Sequence, residues 1–122
     1  MNPPSIDDVL QRRAAGGLGT AAEQAAAAAV LLASADPAMV QLAHDLALQA
    51  MAREPAARAL AATAFDRLRR LRGEPQKFGT QLAADGKGEL WPVDEHTTDS
   101  ERAKWGLPPL AELRRRAAGG RP

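Results

Sequence analysis

The stretch Arg72-Gly73-Glu74-Pro75-Gln76-Lys77-Phe78-Gly79-Thr80-Gln81 divides the chain into two halves of different character. Gly73 is suited to stop a helix, and Pro75 keeps it from restarting. Phe78-Gly79-Thr80-Gln81 reads as extended backbone with a glycine inside it. Upstream lies an alanine-rich, helix-periodic half. Downstream lie short alternating stretches and a proline-rich tail. The expected fold is mainly α, a small helical domain of four to six helices. One short β-hairpin should pack on the helices.

Working upstream, each helix announces its start. Ser5 with Asp8 resembles a capping box, and Thr20 with Glu23 forms a second one. These predict helices over about Ile6–Ala15 and Ala21–Ala33, joined by Gly16-Gly17-Leu18-Gly19. Asp36-Pro37 is an N-cap followed by proline at the first helical position, so a third helix should run from Pro37 to about Arg53. Met39, Leu42, Ala43, Leu46, Ala50 and Met51 fall on one face of it. Glu54-Pro55 breaks that helix. A fourth should run from Pro55 to about Arg72, with Leu60, Ala64, Phe65, Leu68 and Leu71 as its apolar stripe.

Working downstream, Phe78–Leu82 and Glu89–Val93 flank Ala83-Ala84-Asp85-Gly86-Lys87-Gly88. An Asp-Gly loop between two short alternating stretches reads as a hairpin, with Pro92 confining its strand to an edge. A lone hairpin is marginal in water, so Phe78 or Trp91 should insert among the helices. Asp99 or Ser100 should cap a short helix through Trp105, and Pro108-Pro109 should open a last helix over Leu110–Ala117. By size the 122 residues form one domain, with residues 119–122 as a frayed tail.

Composition narrows the chemistry. Of the 122 residues, 28 are Ala and 15 are Leu, so the core must be thin and its helices close together. With no Cys, disulfides, thiolate nucleophiles and Cys-ligated metals are excluded. No apolar run is long enough to span a membrane, and the first residues lack the basic and apolar regions of a secretory signal. A cytoplasmic location fits these features. The formal net charge is +1, with Arg outnumbering Lys 13 to 3. Arg67, Arg69, Arg70 and Arg72 lie mostly off the apolar stripe of their helix. A solvated charged face explains them, and nucleic-acid binding is not expected because no aromatic residue is interleaved.

Two groups of polar residues are candidates for a site. Gln76, Phe78 and Thr80 would point one way on a strand, and Lys77, Gly79 and Gln81 the other. Gln and Thr side chains offer both donors and acceptors, so this set could recognise a small polar ligand or a peptide backbone. It could equally tie the hairpin to helix ends. The second group is Asp94, Glu95, His96 and Asp99. It could bind a divalent cation or serve acid/base chemistry, but its spacing matches no established pattern, and a polar loop explains it. His44 stands beside an apolar stripe without a spaced partner. Gly16-Gly17-Leu18-Gly19 follows a helix and lacks a Lys, so it is not a phosphate cradle. No metal or cofactor is expected.

Gly73-Glu74-Pro75-Gln76-Lys77-Phe78-Gly79-Thr80-Gln81, then Trp91-Pro92-Val93-Asp94, then Asp99-Ser100-Glu101-Arg102 and Gly106-Leu107-Pro108-Pro109-Leu110, resemble a bacterial family of unknown function. Its members read G-x-P-Q-x-(F/Y)-G-T-Q, then P-(I/V)-(E/D), then D-E-R-R and G-L-x-P-L. Asp66-Arg67 ahead of the signature matches as well. Relatives commonly carry His before Ala-Asp-Pro, where this chain has Ser34. The resemblance implies a shared fold and a shared site, but no reaction.

The leading expectation is a non-catalytic interaction or accessory domain. It would have a polar pocket around Gly73–Gln81 and take a small polar ligand or a protein partner. Its contact residues would come from Asp66, Arg67, Gln76, Phe78, Gly79, Thr80 and Gln81, with Asp94, Asp99 and Arg102. The alternative is a small Cys-free hydrolase or cyclase using Asp66, Arg67, Gln81 and the Asp94–Asp99 loop. An Arg-dependent nucleic-acid binder comes third.

Overall fold

Among the described residues, six helices form where the caps and breakers direct. A computed structural model describes residues 4–119. The helices are α1 Ile6–Ala14, α2 Ala21–Leu31, α3 Pro37–Ala50, α4 Ala57–Leu71, α5 Asp99–Lys104 and α6 Leu110–Ala117. Both capping boxes are present: Ser5 and Asp8 bond reciprocally at α1, as do Thr20 and Glu23 at α2. Asp36 accepts from the Ala38 amide ahead of Pro37. Two starts differ from expectation. No side chain caps α4, which begins two residues after Pro55. The cap of α5 is Thr98, one residue earlier than Asp99, and it accepts from the Glu101 amide.

The core forms where α3 packs between α2 and α4. Nine of the fifteen buried apolar residues are Ala, so little side-chain bulk separates the helix backbones. Val9, Leu31, Val40, Leu46 and Leu68 fill the remaining space. The buried face of α3 runs through Val40, Ala43, Leu46, Ala47 and Ala50, with Met39 and Leu42 half-buried at its border. On α4 the stripe shifts toward Ala57, Ala61 and Ala64, and Leu71 is exposed. The buried sides of α2, α3 and α4 follow the small residues, which permit the close approach.

The end of α4 is a Schellman motif. Gly73 sits at φ 74°, its amide donates to the Arg70 carbonyl, and the Glu74 amide donates to that of Arg69 at 2.9 Å. The chain beyond does not form the expected hairpin. Among the described residues there is no β-strand, only isolated bridges between Gln76 and Val93 and between Leu82 and Leu90. Three local causes stop a ladder from growing. Gly79 turns the backbone at φ 111°. Pro92 has no amide to donate. The Gln76 side chain takes bonds that a neighbouring strand would otherwise make. Beyond α6, Gly119 lies in the turn after the helix, and residues 120–122 lie outside the described residues.

Candidate functional site

The carboxylate of Asp66 is the hub of the segment after α4. It is fully buried on that helix and faces the backbone of residues 77–80. Oδ1 accepts from the amides of Lys77 and Phe78 at 2.8 and 2.9 Å. Oδ2 accepts from the amides of Gly79 and Thr80 at 3.1 and 3.0 Å, and from the Thr80 hydroxyl at 2.7 Å. Four consecutive amides converging on one anion form a backbone nest. The nest needs the positive φ of Gly79, and it needs a bare Cα there: a Cβ would stand 3.2 Å from Cδ1 of both Leu110 and Leu113.

Gln76 is the second hub. Its amide donates to the carbonyls of Gln81 and Trp91 at 2.9 and 2.7 Å, and its Oε1 accepts from the Gln81 amide at 2.8 Å. Its backbone amide donates to Pro92 and its carbonyl accepts from Asp94. Gln76 thereby joins the signature to the segment at Trp91–Asp94. Gln81 is also buried, but its side-chain amide reaches only the Thr80 hydroxyl, at 3.2 Å. The strict alternation of faces is therefore absent: Gln76, Phe78, Gly79 and Gln81 are all buried, because the chain curls around Asp66.

Arg102 of α5 is the third hub. Its side chain is buried. Nε donates to the Phe78 carbonyl at 2.7 Å, and Nη1 donates to the Thr97 carbonyl and to Asp99 Oδ1. The same Asp99 oxygen accepts from the Leu110 amide at the start of α6. That amide, seconded by Arg102, holds the Asp99 carboxyl below the usual carboxylate range. One chain of hydrogen bonds thus links α4, the signature, α5 and the start of α6.

Of the ten candidate residues, nine meet in this network. Asp66, Gln76, Phe78, Gly79, Thr80, Gln81, Asp94, Asp99 and Arg102 are joined directly or through one shared partner, Asp94 by its backbone amide. Arg67 is not among them. It turns to the other side of α4, and both Nε and Nη2 donate to the Ser34 carbonyl, at 2.9 and 2.7 Å. The Ser34 hydroxyl accepts from the Asp36 amide, so this position shapes the turn between α2 and α3. Asp94 caps its own loop by accepting from the His96 amide. Within Gln76–Gln81 the buried polar groups largely satisfy one another. The grouping of Asp66, Arg67, Gln81 and the Asp94–Asp99 loop does not converge on a common space.

The other arginines of α4 have separate partners. Arg58 donates to the Pro55 and Lys104 carbonyls, Arg69 lies 5.0 Å over the Phe65 ring and donates to the Pro75 carbonyl, and Arg70 lies 5.8 Å from the Trp91 ring centroid. Among the described residues, no three His, Cys, Asp or Glu side chains gather as a metal site would require. No helix there is long and apolar enough to cross a membrane.

Among the described residues one hollow, about 220 Å³, lies between His44, Phe65, Arg69, Arg72 and Glu74, and two others flank the network. The larger of these two, about 360 Å³, lies between residues 88–93 and Arg114 of α6. The Trp91 indole bordering it already donates to the Glu74 carbonyl, at 2.7 Å. The smaller is apolar, about 200 Å³, and opens beside Asp66 between α3, α4 and the end of α5. His44 and Leu48 of α3, Phe65 of α4, Lys77, Phe78 and Trp105 wall it, with Ala61 and Ala62 as its floor. Its rings form a relay, with centroid separations of 6.1 Å from His44 to Phe65, 6.2 Å from Phe65 to Phe78 and 5.9 Å from Phe78 to Trp105.

The sequence does not announce this groove: it places His44 beside an apolar stripe and Phe65 within the stripe of α4. The available signal was the i, i+4 pairing of His44 with Leu48 and of Ala61 with Phe65, which places small and aromatic residues on adjoining helix faces. Compared with protein-family models, curated proteins and solved structures, the chain matches none.

Proposed function

We propose that this protein is a small non-catalytic binding domain whose recognition surface is the aromatic groove between α3, α4 and α5. The observation that carries this reading is the division of labour at Phe78. Its backbone is locked by Asp66 and Arg102, while its ring faces the groove. A locked wall is pre-organised, so a ligand would lose little to ordering it. Binding is favoured over catalysis because the buried carboxylate of Asp66 and amide of Gln76 already have their hydrogen-bonding capacity occupied, while the buried Arg102 has two of its three nitrogens bonded and only Nη2 without a partner among the described residues. We read the Gly73–Gln81 signature accordingly, as an element that builds a wall rather than one that reacts.

The size of the groove sets the ligand class. An apolar cavity of about 150 Å³ accepts a benzene ring, so 200 Å³ holds one ring with a short substituent. Titration with small neutral aromatics, followed by amide and indole NMR shifts, tests the reading. Shifts should concentrate at His44, Phe65, Phe78 and the Trp105 indole, leaving the Trp91 indole in place. Shifts centred on Trp91 and Arg114 would move the site to the hollow they border. Turnover of ester or amide substrates, abolished by Asp66→Asn in folded protein, would overturn the non-catalytic reading.

A further inference from the structure

Resting on that reading of the groove, we infer that its ligand is a small apolar carboxylic acid, held by its ring or chain among Phe65, Phe78 and Trp105 and by its carboxylate at Lys77. Among the described residues, Lys77 is the one formally charged side chain in the groove wall. Its ammonium lies 5.5 Å from the centroid of the Phe78 ring and 2.8 Å from Glu101 Oε1. Glu101 itself is not part of the wall, and the pair is about one-third exposed on both sides, so little is lost when a ligand replaces it.

Each phenyl ring of the groove has a cation beside it, with Glu101 and Asp45 as the neighbouring carboxylates. The second cation, Arg69, lies over the Phe65 ring. The polar group opposite is His44. Its side chain is 20% exposed, and it makes no hydrogen bond among the described residues, with Asp45 Oδ1 standing 3.9 Å from Nδ1. A half-buried imidazole without a bond can donate to a ligand oxygen in its neutral form. Burial favours that form, against the opposing pull of Asp45.

Three probes of one shape decide the matter: phenylacetate, phenylacetamide and phenethylamine, titrated against the whole chain and followed through the Trp105 indole. Phenylacetate should bind about tenfold more tightly than the amide, the factor one charge-assisted bond supplies at a half-exposed site. Lys77→Met should remove that difference. Glu101→Gln, which frees Lys77, should strengthen phenylacetate alone. Equal binding of acid and amide would overturn the carboxylate inference and leave the binding-domain reading standing. So would preference for the amine, or an acid preference that survives Lys77→Met. If none of the three probes binds, the groove is not a ligand site and both claims fall. Self-association that buries Trp105, seen by sedimentation, would do the same.

Discussion

Thr80 donates twice to a single oxygen of Asp66, from its backbone amide at 3.0 Å and from its hydroxyl at 2.7 Å. The second bond fixes the Thr80 side chain, and Gln81 in turn donates to that hydroxyl. A loop that would otherwise be free thus becomes a rigid extension of α4.

The Asp66 nest should dominate the stability of the second half of the chain. Asp66→Asn keeps the shape but removes the charge and turns an NH₂ group toward amide donors. Hydrogen bonds to a charged group contribute roughly 1.5–3 kcal/mol each, and several weaken together. We expect a loss of at least about 3 kcal/mol in denaturant melts. A variant within about 0.5 kcal/mol of the parent would refute the nest as the organising interaction.

Gly79→Ala tests strain and crowding together. The residue sits at φ 111°, and a Cβ would meet two leucine methyls at 3.2 Å. The expected cost is about 1–3 kcal/mol. Repeating the change in a Leu110→Ala, Leu113→Ala background separates the causes. If crowding dominates, the cost shrinks there. If the backbone angle dominates, it stays the same.

Gln76→Ala should be worse than Gln81→Ala. The first removes three buried hydrogen bonds and leaves the Gln81 amide without its acceptor, for roughly 2–4 kcal/mol. The second removes one bond at 3.2 Å, for about 1 kcal/mol. Reversal of this order in urea melts would show that the glutamine roles have been misassigned.

Stability should also depend on pH through His44. Burial lowers its pKa from 6.5 in the folded state, with Asp45 opposing and the Lys77 ammonium lining the same groove. The unfolded chain therefore binds the proton first. The contribution is present above about pH 6.5 and is lost as pH falls through the folded-state value. Between pH 7 and pH 5.5 the melting temperature should fall. His44→Phe should flatten that segment of the profile, and an unchanged slope in the variant would remove His44 as its cause.

What the sequence determined by itself was the local layer. Ser5 with Asp8, Thr20 with Glu23, Asp36 before Pro37, and Gly73 after Arg72 all mark helix ends. They act through bonds spanning two to five residues, so a short window of sequence contains both partners. The placing of Phe78 in the interior was legible for a similar reason, since few other large apolar residues were available. Tertiary structure alone decided the use of the polar residues. Asp66 and Thr80 are fourteen positions apart, Gln76 and Trp91 fifteen, and Phe78 and Arg102 twenty-four. No periodicity encodes those distances. The same docking dissolved the expected hairpin, because side-chain amide and carboxylate groups took the bonds a ladder needs. It also created the aromatic groove, whose walls come from two helices, the signature loop and the end of a third helix. Such a surface exists only once those elements are packed.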